Sequence, residues 1–201
     1  MLDPLLRPVK DRLLVPVARQ LGGVAPGLIT ATGLVVGLAA GAAGAYRAYG
    51  VGVGCWILSR VLDGLDGVQA RTHRRQSDLG GYVDQVSDFL IYAAVPVGLV
   101  IGRPEASLAM PALWLLASFY VNAASWMYLS AILERRGLGA TIRGEQTTIT
   151  MPDGLIGGSE TILFYLAFFL VPAHLAGLFI VMAVLVGITA VQRVAWALQR
   201  L

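Results

Sequence analysis

The sequence has 201 residues, 57% of them hydrophobic and 13% charged, with a mean hydropathy of +0.72. This is too apolar for an ordinary soluble domain and fits a single integral membrane domain over residues 1–201. A formal charge of +3 suits contact with anionic headgroups or phosphates but is too small to argue for nucleic-acid binding, and the single Cys55 excludes an internal disulfide.

Residues 1–20 lack the uninterrupted apolar core of a cleavable signal peptide, so the first membrane helix is expected to act as its own insertion signal. Residues 1–21 mix Leu and Val with Arg7, Lys10, Arg12 and Arg19 and are punctuated by Pro4, Pro8 and Pro16. The pattern predicts a partly helical, amphipathic segment lying in the membrane interface, with a frayed basic tail as the alternative. Pro26 and Gly27 break the chain, and residues 28–46 read as a first transmembrane helix with Gly33, Gly37 and Gly41 forming a small-residue packing face. Thr30 is either a polar neighbour of a pocket or, more simply, bonded to its own helix backbone. A second helix runs from about residue 51 into Asp63 and Asp66, with Arg60 one turn before them. Arg60 reads as a counter-ion for those acids, a contact for a ligand phosphate, or a snorkelling cation. His73, Arg74 and Arg75, in the basic turn that follows, read first as a topology signal, and His73 alone is a poor metal-ligand candidate.

A third helix is expected over residues 82–101 and a fourth over 108–133, where Asn122, Ser125 and Ser130 are simplest as interhelical hydrogen-bond partners. Residues 134–159 form the longest polar stretch, and its length suggests a functional loop. A fifth helix over 160–171 is short for a ~30 Å crossing unless residues 155–159 contribute, and a sixth covers 172–198. The expected fold is therefore all-α: six transmembrane helices within residues 28–198, preceded by an interfacial helix. Placing both termini in the cytoplasm leaves Arg47 and Arg103 outside and every other Lys or Arg inside, which satisfies the positive-inside rule.

Against this apolar background, five of the twelve acidic residues fall within residues 63–88. A carboxylate at a helix centre costs roughly 2.5–3.5 kcal/mol, so Asp63, Asp66, Asp84 and Asp88 left bare in lipid would cost on the order of 10 kcal/mol. Asp63 and Asp66 share one face of their helix and Asp84 and Asp88 share one face of the next. Two facing helices would then bring the four together, and hard oxygen donors without Cys or His select Mg²⁺, Mn²⁺ or Ca²⁺. Gly64, Gly67, Ala70, Gly80 and Gly81 leave room beside the acids, and Arg71 supplies a planar cation suited to phosphate. Intramembrane carboxylates also occur in cation transporters, which have no use for this Gly, Ala and Arg spacing.

Asp63, Asp66, Gly67, Ala70, Arg71, Gly80, Asp84 and Asp88 place eight fixed positions over 26 residues, and in that spacing the segment resembles the signature of the CDP-alcohol phosphotransferase family. The resemblance implies a dimeric membrane enzyme that displaces CMP from CDP-diacylglycerol or another CDP-alcohol with a small hydroxyl acceptor. It implies that Asp63, Asp66 and Asp84 hold a pair of ions, Mg²⁺ or Mn²⁺, that Asp88 joins the metal site and acts as general base, and that Asp66, Gly67, Ala70, Arg71 and Gly80 bind the CDP moiety. Relatives often carry Asn after the proline where this chain has Gly27. A choline- or ethanolamine-type donor with a lipid hydroxyl as acceptor, and an inactive scaffold of the same fold, are the alternatives. Arg135, Arg136, Arg143, Glu160 and Arg193 are candidates for contacting the acceptor, being placed at the cytoplasmic loop or in the last two helices. Arginines would suit a phosphorylated acceptor and Glu160 an amine or a polyol, while a mutual Glu160–Arg193 ion pair is the structural alternative. The combined expectation is a phospholipid-forming enzyme of the bacterial inner membrane with its active site facing the cytoplasm.

Overall fold

The computed structural model describes residues 3–138 and 154–201, and every regular element among them is helical. Helix α1 (Asp3–Gln20) runs unbroken through Pro8 and Pro16, more regular than the punctuated segment expected from the sequence. Helix α2 (Pro26–Ala45) opens on Pro26, after Ala25 in the extended conformation that a residue preceding proline favours. The fixed φ of proline suits a first helical residue, and its missing N–H would have lacked an intrahelical partner there anyway. Helix α3 (Tyr49–Thr72) follows, then α4 (Asp78–Gly102). Helix α4 starts before the expected Tyr82 because the Ser77 hydroxyl accepts the Gly80 N–H at 3.1 Å and Asp78 adds a negative charge in the first turn.

Helix α5 (Ala106–Arg135), helix α6 (Gly158–Leu170), a short 3₁₀ turn at Pro172–His174 and helix α7 (Leu175–Arg200) complete the described fold. The segments Pro26–Ala45, Asp78–Gly102, Ala106–Arg135 and Pro172–Arg200 are long and apolar enough to cross a membrane. Among the described residues, four of the six expected crossings therefore have both the length and the apolar composition to span. Helix α3 has the length but carries Arg60, Asp63, Asp66 and Arg71, while α6 has 13 residues, which rise only about 20 Å.

Helix α2 packs against both α3 and α4, and glycine makes that possible. A side chain at Gly98 would strike the carbonyl of Gly41, one at Gly102 would strike that of Gly44, and one at Gly37 would meet Ile91 and Ser59. The expected small-residue face of α2 is therefore shared: Gly41 and Gly37 meet α4, while Gly33 and Gly37 also meet α3 at Leu62, Asp63 and Ser59. Helix α1 rests on α3 through a second glycine contact, with the Lys10 and Leu14 side chains over Gly64. Helix α6 packs on α3, and α7 packs on α5. Buried Trp56, Tyr165, Phe168 and Phe179 join these layers, and Trp56 stacks on Tyr165 with ring centroids 4.7 Å apart.

Candidate functional site

A cleft between α2, α3 and α4 is lined by Thr30, Ser59, Arg60, Asp63, Asp66, Asp84, Ser87 and Asp88, with Gly33, Leu34 and Ile91 as its apolar wall. Its space, about 190 Å³ including the open mouth, brings together all four aspartates of the signature. The helical spacing explains this: one face of α3 delivers Asp63 and Asp66, and the facing side of α4 delivers Asp84 and Asp88.

Each carboxylate has a different neighbour. Asp66, which is buried, accepts a 2.6 Å hydrogen bond from the Thr30 hydroxyl. The same hydroxyl also lies within hydrogen-bond distance of the Pro26 carbonyl of its own helix, at 3.2 Å, so both readings of Thr30 are met, with the shorter bond going to Asp66. Asp88 receives the Arg60 guanidinium at 2.6 Å and lies 3.4 Å from the Tyr92 hydroxyl. Asp63 stands 3.9 Å from the same guanidinium, and Asp84 lines the cleft with it from the facing helix. Of the three readings of Arg60, the structure shows the counter-ion.

Arg60 is only 8% exposed and is held on several sides. Its Nη2 donates to the Ser59 hydroxyl at 3.2 Å, and Ser59 donates in turn to the Gly33 carbonyl at 2.9 Å. Its guanidinium carbon lies 5.0 Å from the Trp56 ring centroid and 5.5 Å from that of Tyr92. Sequence reasoning missed Ser59, Ser87 and Tyr92. Their spacing to the acids on α3 and α4 is the signal that could have found them, since Ser59 is four before Asp63 and Tyr92 four after Asp88.

The other signature residues flank the cleft. Gly67 and Ala70 continue α3 beyond Asp66, and Arg71 folds back so that a side chain at Gly67 would come within 3.3 Å of its Nη1. Gly80 lies in the first turn of α4, its N–H held by Ser77. The acceptor candidates lie elsewhere, and none of those described lines the cleft. Arg135 and Arg136 end α5, both exposed, with Arg136 donating to the Leu201 carbonyl at 3.1 Å. Glu160 accepts the Gly157 N–H at 3.0 Å at the start of α6, and buried Arg193 donates to Asn122 at 2.5 Å between α7 and α5. Asn122 thus makes the expected interhelical bond, whereas the Ser125 hydroxyl donates to the Asn122 carbonyl of its own helix at 2.7 Å. Arg143 lies outside the described residues, as does most of the expected functional loop. His73 has a ring nitrogen 2.9 Å from the Ala18 carbonyl and helps seat α1.

Among the described residues no three Asp, Glu, His or Cys side chains close into a finished ion cage. The donor chemistry nevertheless fits a hard divalent ion: carboxylate oxygens from two helices line one cleft, with Arg60 the sole cation in its lining among the described residues.

Fold and site together define an all-helical membrane protein with an aspartate-lined cleft between its helices. The CDP-alcohol phosphatidyltransferase family model matches residues 23–192, and the chain belongs to that family, as a transferase of phospholipid biosynthesis. It is 33% identical over 196 residues to the inner membrane protein YnjF of Escherichia coli, covering 96% of this chain and 94% of that one. It is 29% identical over 199 residues to the archaetidylinositol phosphate synthase of Methanothermobacter thermautotrophicus, covering 97% and 93%. The fold is shared with the Mycobacterium tuberculosis phosphatidylinositol phosphate synthase PgsA1 with CDP-DAG bound, at a TM-score of 0.71, 22% identity and 92% coverage of each chain. The same enzyme in complex with manganese and citrate aligns with a TM-score of 0.70 and 22% identity over 90% of this chain and 87% of that one.

Proposed function

We propose that this chain transfers a phosphatidyl group, a substituted phosphate, from CDP-diacylglycerol or a related CDP-alcohol to the hydroxyl of a small polar acceptor, releasing CMP. The observation that carries the reading is the gathering of Asp63, Asp66, Asp84 and Asp88 from two helices into one cleft. The solved relative with CDP-DAG bound supports a CDP-linked lipid as donor.

In this reading Asp63, Asp66 and Asp84, joined by Asp88, would hold Mg²⁺ or Mn²⁺, two ions in the arrangement the family implies; a relative's structure with manganese supports this. Such ions, when bound, neutralise diphosphate charge and polarise the phosphorus under attack. The chain's own groups do the rest. Thr30 fixes Asp66 through its 2.6 Å bond. Gly67 and Ala70 keep the floor of the CDP site low, Arg71 offers a planar cation to the diphosphate, and Gly80 lets the donor approach the first turn of α4. The acceptor hydroxyl gives its proton to Asp88 as its oxygen bonds to phosphorus, and the bond from phosphorus to the CMP oxygen breaks. Arg60 and Tyr92 hold Asp88 in place meanwhile.

For the acceptor we favour a phosphorylated polyol, because two relatives are named as archaetidylinositol phosphate and phosphatidylinositol phosphate synthases; Arg135, Arg136, Arg143 and Arg193 would be the cations for its phosphate, reached beyond the cleft that the aspartates line. Glu160 would meet its hydroxyls. We further propose that residues 1–201 form one domain, that α3 and α6 complete six crossings with α1 in the interface, that the cleft opens to the cytoplasm, and that the enzyme is a homodimer in an inner membrane. The test is CMP release by the purified protein with CDP-diacylglycerol and Mn²⁺ across inositol 1-phosphate, glycerol 3-phosphate, inositol and serine. Release with inositol 1-phosphate alone is the expected result; release with serine alone would overturn the acceptor, and silence with all four would overturn the donor.

A further inference from the structure

We infer that Arg60 is a positioning residue which both orients Asp88 and competes with divalent metal for the cleft, so that this chain binds metal weakly until an anionic donor arrives. The inference rests on the metal-site reading above.

Four carboxylates and one guanidinium line the cleft, so Arg60 balances acids that an incoming ion would also seek. It is not a loosely placed cation. The guanidinium is fixed by Asp88 at 2.6 Å, Ser59 at 3.2 Å and Tyr92 at 3.4 Å, and lies against the rings of Trp56 and Tyr92. Among the described residues its Nε is buried without a hydrogen-bond partner, so the side chain is oriented toward the carboxylates even though one of its own donors goes unmet. A charge held this firmly at low exposure repels a second cation entering the same oxygens more strongly than a mobile surface charge would. A donor diphosphate brings negative charge that offsets Arg60, so metal and donor should bind with positive coupling. Arg60 lies outside the eight signature positions, so this control belongs to the helix turn before them.

Mn²⁺ binding to purified protein, followed by the electron paramagnetic resonance signal of the free ion, needs no turnover. Arg60→Gln should bind Mn²⁺ about tenfold tighter than wild type, a gain that mere structural damage cannot produce. Arg60→Lys, which keeps the charge without the planar fork, should bind Mn²⁺ like wild type yet release CMP at least about tenfold more slowly. In the wild type, Mg²⁺ should change the emission of Trp56, read against a Trp56→Phe blank, because the ion loosens the guanidinium from that ring; this holds even if Arg60→Gln does not fold. Equal or weaker Mn²⁺ binding by folded Arg60→Gln, or Mg²⁺ binding without any Trp56 signal, would overturn the inference alone. Absence of metal binding by the wild type with donor present would remove the metal site and the inference together.

Discussion

The Tyr165 hydroxyl on α6 donates a 2.6 Å hydrogen bond to the backbone carbonyl of Tyr92 on α4. That carbonyl is four residues before Pro96, which lies inside α4 and has no N–H to offer it. The proline opens a gap in the helix ladder and a side chain from another helix fills it. The consequence reaches the cleft, because Tyr92 is also the residue whose ring and hydroxyl flank Arg60 and Asp88. Tyr165→Phe should therefore leave a buried acceptor unmet and lower stability by about 1–3 kcal/mol, seen as a fall of several degrees in the unfolding midpoint in detergent. An unchanged midpoint would show that the Tyr92 carbonyl finds another partner.

Glycine contacts between α2 and α4 predict a sharp contrast between two apparently similar substitutions. Gly98→Ala places a methyl group against the Gly41 backbone, which cannot yield as a side chain would. Gly54→Ala meets nothing within 4 Å and should gain up to about 1 kcal/mol from helix propensity. Size-exclusion recovery and thermal unfolding in detergent should show Gly98→Ala severely impaired and Gly54→Ala intact. Comparable behaviour of the two would mean that α2 and α4 do not touch at glycine.

Thr30 tests whether a hydrogen bond to one carboxylate matters to turnover. Thr30→Val keeps the shape and removes the donor to Asp66, with an expected loss of about tenfold in CMP release, corresponding to about 1.4 kcal/mol for a bond to a charged group. Thr30→Ser should retain most of the activity. Should the valine variant match wild type, Thr30 serves only its own helix, as its sequence context first suggests.

Much of this site was legible in the chain because helical geometry links spacing to position. Intervals of three and four residues within α3 and α4 predict that Asp63 pairs with Asp66 and Asp84 with Asp88, and the cleft holds all four. Glycines at four-residue intervals likewise predict a close-packing face of α2, which α4 and α3 both meet. What escaped depends on tertiary contact. No periodicity reveals that Pro96 frees a carbonyl for Tyr165, or that the Thr30 hydroxyl reaches Asp66 as well as the Pro26 carbonyl of its own helix. Counting apolar residues also blurs α3, where charges sit inside a helix of sufficient length, and α6, where length itself falls short. Arg193 shows the converse: its bond to Asn122 is an interhelical link that the sequence suggested for Asn122 but not for its partner.

The most direct test of the account is CMP release from CDP-diacylglycerol, with inositol 1-phosphate as acceptor, by wild type and Asp88→Asn, each stripped with a chelator and then resupplied with Mn²⁺, alongside equilibrium binding of the donor. Wild type should fall silent on chelation and recover with Mn²⁺, while Asp88→Asn should bind the donor and lose at least about a hundredfold in turnover. Wild-type turnover by Asp88→Asn, or CMP release indifferent to chelation, would contradict the account.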